Sequence, residues 1–171
     1  AGPLGSYPSG LVRWKEHVYF SANDGTHGLE LWRSDGTAAG TTLVADLQPG
    51  PEGALPNGFV VFGDALYFSA DDGRHGFELW RTQGTPATTQ MVADIYPGAQ
   101  GAMPRQFTVR GDTLFFTAVD PEGGTELWRS DGTAAGTQRV KDIRANGDAS
   151  PEALTLVGDT LFFTADDGEH G

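Results

Sequence analysis

The sequence predicts an all-β chain of repeated four-stranded antiparallel blades, and three observations carry that prediction. The tetrapeptide Glu30-Leu31-Trp32-Arg33 returns as Glu78-Leu79-Trp80-Arg81 and as Glu126-Leu127-Trp128-Arg129, two steps of 48 residues. Four short runs rich in aromatic and β-branched residues fall within each period. No stretch holds apolar residues at helical spacing, and the 25 glycines and 10 prolines interrupt every candidate helix. Strand content at a period of roughly 40 to 50 residues is the mark of a β-propeller array. The 171 residues would supply about 3.5 blades.

Each segment can be justified in turn. Residues 1–6, with Gly2-Pro3-Leu4-Gly5-Ser6, match the scar a fusion-tag protease leaves, so the native part is expected from Tyr7. Blade 1 is expected over 7–57, blade 2 over 58–105 and blade 3 over 106–153, with 154–171 as the inner hairpin of a further blade. Their strands should fall near 11–47, 59–95, 107–143 and 154–165. In blade 2 the first strand, 59–62, is short and ends at Gly63-Asp64, a two-residue hairpin signal. The second, 66–70, is apolar in both alternations, as a strand packed on both faces requires. A loop from Asp71 to Gly76 leads into the third, 77–81. A glycine-bearing turn follows, Asp35-Gly36 and Asp131-Gly132 in the other modules, and closes the next hairpin before a fourth strand over 90–95. The connection beginning at Tyr96, with Pro97, Gly98 and Pro104, is the longest, as expected of the crossing from outer to inner strand. Tyr19 to Ala22 recurs at Tyr67, Phe115 and Phe162. The last step is 47 because the loop after Asp142 is one residue shorter.

Charge excludes several functions. Lysine plus arginine (11) against aspartate plus glutamate (23) gives −12, which repels phosphate backbones and anionic membranes and argues against nucleic-acid binding. No apolar run approaches the ~20 residues needed to span a bilayer, so no membrane insertion is expected. Cysteine is absent, which removes a disulfide frame, a thiolate zinc site and a cysteine nucleophile. Aromatic content of 11% is too high for a disordered tail.

The twelve residues 30–41 are identical to 126–137 and read Glu-Leu-Trp-x-x-Asp-Gly-Thr-x-x-Gly-Thr. This pattern resembles the repeat that names the ELWxxDGT family, and the resemblance extends over residues 7–171. The middle copy departs from it, with Gln83 in place of the aspartate and Thr88 in place of the second glycine. The resemblance implies a large bacterial protein, secreted or bound at the cell surface. It brings no assigned chemistry.

Candidate site residues come from the repeated positions. Asp24, Asp72, Asp120 and Asp167 occupy equivalent glycine-rich loops, and His27, His75 and His170 follow in three of them. Carboxylate and carbonyl oxygens in such loops could hold Ca²⁺, against the simpler reading that aspartate fixes the turn; no Asp-x-Asp-x-Asp-Gly spacing is present. Glu30, Glu78 and Glu126 lie within strands, three residues before Arg33, Arg81 and Arg129. The odd spacing places them on opposite faces, so pairing is expected between blades, or between the arginines and Asp46, Asp94 and Asp142. Trp32, Trp80 and Trp128 stand beside polar turns. They could stack on sugar rings as a multivalent site with His27 and His75, or fill the wedge between blades.

No Gly-x-Ser-x-Gly, His-Glu-x-x-His or phosphate-loop motif occurs, and no catalytic residue or cofactor beyond the calcium alternative is expected. A non-enzymatic, lectin-like carbohydrate-binding module is the leading function, followed by a structural or adhesive surface segment, then a propeller hydrolase. Open blade faces at both ends also predict a homo-oligomer, favoured as a dimer closing a ring. In that scheme 154–165 of one chain replaces 11–22 of the other.

Overall fold

The structure, a computed structural model, describes residues 5–122, 124–145 and 147–170. Gly2, Pro3 and Leu4, part of the expected tag scar, lie outside the described residues, as do Gly123 in the third aspartate loop, Asn146 and Gly171.

Three four-stranded antiparallel sheets and a hairpin follow one another along the chain. The first sheet holds β1 (Ser9–Trp14), β2 (His17–Asn23), β3 (Leu29–Ser34) and β4 (Thr42–Ala45) in that order. The second holds β5 (Asn57–Phe62), β6 (Ala65–Asp71), β7 (Phe77–Thr82) and β8 (Gln90–Ala93). The third holds β9 (Arg105–Arg110), β10 (Thr113–Asp120), β11 (Gly124–Ser130) and β12 (Gln138–Arg139), and the hairpin is β13 (Glu152–Val157) with β14 (Thr160–Thr164). The first strands β1, β5, β9 and β13 are mutual neighbours in that sequence, so one edge of every sheet lies on a common line. Among the described residues these sheets do not close a ring.

Two expectations for the strands need correction. The fourth strand of the second module ends at Ala93, and that of the third shrinks to Gln138–Arg139. The cause of the second lies in the altered loop before β11. Asp120 and Glu122 draw the Arg139 guanidinium to 2.7 and 3.2 Å, where the other modules carry Leu43 and Met91.

The second strands are apolar in both alternations because both faces are covered. On one face of the second sheet Phe59, Leu66, Phe68 and Trp80 pack against Trp14, Tyr19, Leu31 and Val44 of the first. On its other face Phe62, Tyr67, Leu79 and Val92 meet Phe107, Leu114, Phe116 and Trp128 of the third. Every sheet therefore has a leading face, turned to the module before, and a trailing face, turned to the module after. The leading face of the first sheet and the outer face of the hairpin stay open, with Leu11, Val157 and Phe162 exposed there.

The long connections lock the modules together through buried alanines. Leu55, Met103 and Ser150 donate their N–H to the carbonyls of Leu29, Phe77 and Thr125 at 3.0, 2.9 and 3.1 Å. The carbonyls of Ala54, Ala102 and Ala149 accept from Asp71, Val119 and Asp166 at the end of the next module's second strand. Leu55, Met103 and Ser150 reach these positions with left-handed backbones, φ 53, 51 and 42°, and Tyr7, at the equivalent place of the repeat before the first sheet, has φ 45°.

The Asp-Gly-Thr turn explains why the middle copy changes at two places at once. Asp35 Oδ1 accepts from both the N–H and the hydroxyl of Thr37 (2.9 and 2.8 Å), and its carboxylate fills the space where a side chain at Gly40 would sit. Asp131 and Gly136 repeat this arrangement. Gln83 instead reaches out to Asp64 (2.6 Å), and the freed space takes Thr88, whose hydroxyl accepts from the N–H of Gln83 and Thr85 (both 3.2 Å).

Candidate functional site

The three strand glutamates are the most buried charged groups of the repeat, and their role differs from the expected one. Glu78 Oε2 accepts from Ile95 N–H (2.9 Å), and its Oε1 accepts from Tyr96 (2.9 Å) and Ala102 (3.1 Å). Glu30 takes the same three bonds from Leu47, Gln48 and Ala54 at 3.1, 3.0 and 2.9 Å. Each carboxyl is a clasp that holds its own long connection. Glu126 accepts from Ile143 (3.1 Å), while its Oε1 has no partner among the described residues, in the module whose connection is shorter. Burial pushes all three carboxyls above their usual range, Glu78 to about 7, against the pull of the N–H donors.

The expected Glu–Arg pairs between modules do not form. Arg33 Nη1 donates to the carbonyl of Gly84 (2.9 Å) and Arg81 Nη1 to that of Gly132 (3.3 Å), the turn glycine of the next module in each case. The arginines still tie module to module, but through a backbone acceptor. Nor do Asp46 and Asp94 pair with them among the described residues; Asp142 lies 3.8 Å from Arg139. The trailing-face tyrosines reach the same turns: a Cβ on Gly84 or Gly132 would meet the hydroxyl of Tyr19 or Tyr67.

The tryptophans do not form three equivalent open platforms. Trp80 is 9% exposed and sits in the core between the first two sheets, and Trp128 packs against the core between the second and third. Trp32 is half-buried on the leading face that has no sheet before it. All three indole Nε1 atoms are shut off from solvent, with no hydrogen-bond partner among the described residues. The wedge reading applies to Trp80 and Trp128, and the reason is the repeat itself: the indole lies on the leading face, which the preceding sheet covers.

The aspartate loops recur with one geometry. Asp24 Oδ1 accepts from Thr26 and His27 N–H (2.8 and 2.9 Å) while Oδ2 meets His27 Nδ1 at 2.7 Å. Asp72 does the same with Arg74 and His75, Nδ1 at 2.8 Å, and Asp167 with Glu169 and His170, Nδ1 at 3.2 Å. The N–H of His27 holds Asp24 down at about 2, and the Asp24 carboxylate raises His27; His75 is raised by Asp72 in the same way. Asp120 departs, its Oδ2 bound to Arg139. These residues do not fit a calcium ion. They sit in separate loops, the oxygens of Asp24, Asp72 and Asp167 accept from their own loops while Asp120 Oδ2 is taken by Arg139, and no group of three or more acidic or histidine side chains that could hold a metal occurs among the described residues.

What sequence reasoning missed is the receiving half of these contacts. The acceptor carbonyls of Gly84 and Gly132 and the donor amides of Ala54 and Ala102 are main-chain groups. The available signal was indirect: an alanine at 54, 102 and 149 in register with the glutamates.

No helix among the described residues is long and apolar enough to cross a membrane. No family model matches the chain, and no curated protein matches it. Among solved structures the chain is similar to the computationally designed Ika8 protein, with 20% identity and a TM-score of 0.50 over 94% of this chain. It spans 43% of that one. A fainter likeness, TM-score 0.42 and 19% identity, links 83% of this chain to 30% of Bacteroides ovatus Xyloglucan PUL GH43B. The first likeness speaks for the fold alone, and the second is too slight to carry an argument: the chain is an all-β repeat of four-stranded antiparallel sheets.

Proposed function

We propose that this chain is a non-enzymatic repeat module of β-propeller type that binds carbohydrate through three recurrent Asp–His loops. Consecutive antiparallel strands, neighbouring first strands and leading-to-trailing face contacts support the propeller reading. The observation that carries the binding reading is the Asp–His loop, present with the same internal bonds at His27, His75 and His170. It lies at the same end of the first two modules and of the hairpin, after the second strand. Each aspartate fixes its imidazole through Nδ1, leaving the Nε2 edge to meet a sugar hydroxyl. Equivalent loops would bind weakly one by one and gain from repetition. The non-enzymatic reading rests on the assignment of the conspicuous charged groups to the frame: the glutamates clasp connections and two of the arginines tie modules.

A second reading has its own support. The aspartate oxygens are already used by their loops, which suits a structural or adhesive segment with no small-molecule ligand. A secreted or cell-surface location accompanies either reading through the resemblance of residues 30–41 and 126–137. Screening labelled protein on a glycan array tests the proposal. Binding that falls at least tenfold, by avidity, in a His27→Ala, His75→Ala variant is expected. Retention of no glycan by the parent chain leaves the structural reading.

A further inference from the structure

The two open faces at the ends of the array are equivalent to faces that are covered inside it, and the covered joints define what fits. Position by position, Gly10, Gly58, Gln106 and Ala153 form one row of the repeat, and Leu11, Phe59, Phe107 and Leu154 form the next. At the first joint β1 lies against the Phe59 ring; a Cβ on Gly10 would come within 2.8 Å of it. Gly58 stands against Phe107 at the second joint in the same way, again 2.8 Å. At the third, Gln106 carries a side chain, and the ring's place is taken by the smaller Leu154. All four residues of the first row share a left-handed backbone, φ 66, 68, 57 and 56°, so the strand edge presents them alike. Glycine thus goes with phenylalanine, and a larger residue with leucine.

Leu11 and Ala153 are the members of this series left without a counterpart, and they obey the same rule. Leu11 is 66% exposed and, with Val18 and Phe20, lines a groove on the leading face of the first sheet. At the far end Val157 (63%) and Phe162 (56%) point outward from the hairpin. Phe162 occupies the place of Tyr19 and Tyr67, which press on the turn glycines of the next module, whereas Gly36, the glycine of the first such turn, has nothing within 4 Å.

We infer that the leading face of the first sheet is covered by the hairpin β13–β14 of a second copy of this chain, with the partner's Ala153 set against Leu11 and the partner's Phe162 toward Gly36. This interface is head-to-tail, and two copies related by a twofold axis form it twice, the second joint closing intramolecularly. β1 and β2 keep their place beside β3 in this arrangement, so no strand is exchanged. It concerns assembly and is independent of the carbohydrate reading. Since each copy carries −12, added salt should strengthen it.

Sedimentation equilibrium of the 171-residue chain across a salt series reads the mass. The expected result is twice 18.1 kDa, with the dimer fraction rising with salt. Leu11→Asp and Phe162→Asp each shift the population to monomer with unchanged circular dichroism, because both side chains are exposed. In this cysteine-free chain a Leu11→Cys, Ala153→Cys variant gives a covalent dimer on mild oxidation. A monomer of 18.1 kDa at every salt concentration overturns the inference. So does a dimer indifferent to Leu11→Asp but broken by Phe162→Asp, the result that exchanged hairpins would give, since Phe162 would then take the buried place of Tyr19.

Discussion

Replacing Glu78 by alanine removes a fully buried acceptor from three backbone donors, Ile95, Tyr96 and Ala102. A stranded buried N–H costs roughly 1–3 kcal/mol. Three at the lower half of that range, eased by water entering the vacated space, give a loss of about 4 kcal/mol where the carboxyl is neutral. That condition is reached in mild acid, because burial lifts Glu78 to about 7. A neutral carboxyl still serves all three donors, with two on one oxygen and one on the other. The sign then follows. The folded state binds the Glu78 proton more readily than the unfolded chain, so the parent loses this contribution as pH rises from about 4.5 to about 7. The alanine variant has no such proton, and its deficit should shrink toward alkaline pH, by on the order of 2 kcal/mol after discounting for residual hydration. Urea unfolding of both proteins at pH 5.5 and pH 8, with Glu52→Ala as an exposed control, measures the two differences. A deficit below about 1 kcal/mol at pH 5.5, or one that grows with pH, refutes the clasp.

Other expectations follow from the same contacts. Glu30→Ala should cost nearly as much as Glu78→Ala, and Glu126→Ala no more than about half of that. Only one donor is placed on Glu126 at ordinary hydrogen-bond distance, and urea midpoints rank the three. Gly132→Ala must adopt φ 91° and also displace the Tyr67 hydroxyl, so thermal unfolding should show a loss of about 2–3 kcal/mol. Gly63→Ala, at φ 59° with nothing within 4 Å, should cost about 1 kcal/mol. Asp24→Asn should lower the His27 pKa toward its ordinary value, since the Asp24 carboxylate is what raises it; NMR titration of the imidazole protons measures the shift.

The parts of this protein that were legible in the sequence are those with a period. Leu66 to Ala70 announced a strand buried on both faces, and Gly63 and Gly36 announced turns that are present. Leu55, Met103 and Ser150 gave no local sign of the left-handed backbone they share; only their equivalent place in the repeat marks them. The glutamates were visible but misread. A charge in a strand was matched to an opposite charge, an arginine of a neighbouring blade, whereas the partners of Glu30 are amides 17, 18 and 24 residues onward, which no side-chain pattern displays. The tryptophans left two readings open, sugar platform or wedge, for a geometric reason. A strand residue shows the face it shares with i+2, but which face a neighbouring sheet covers depends on the order of sheets in space. The short β12 was legible in principle, since Arg139 stands where Leu43 and Met91 are apolar.

The two kinds of tie also differ in reach along the chain, and this sets an order of folding. The glutamate clasp closes loops of 17 to 24 residues within one module. The arginine ties join residues 51 apart. Loop-closure entropy alone makes the longer tie dearer by ~0.7 kcal/mol, before any docking of sheets. Each module should therefore complete its own sheet and clasp first. Once Ala54 is held by Glu30, its carbonyl waits at a fixed place for the N–H of Asp71, so a finished module becomes the template for its successor. Folding then runs down the chain as a one-dimensional propagation of local steps, with each seam sealed only after the sheets on both sides of it exist.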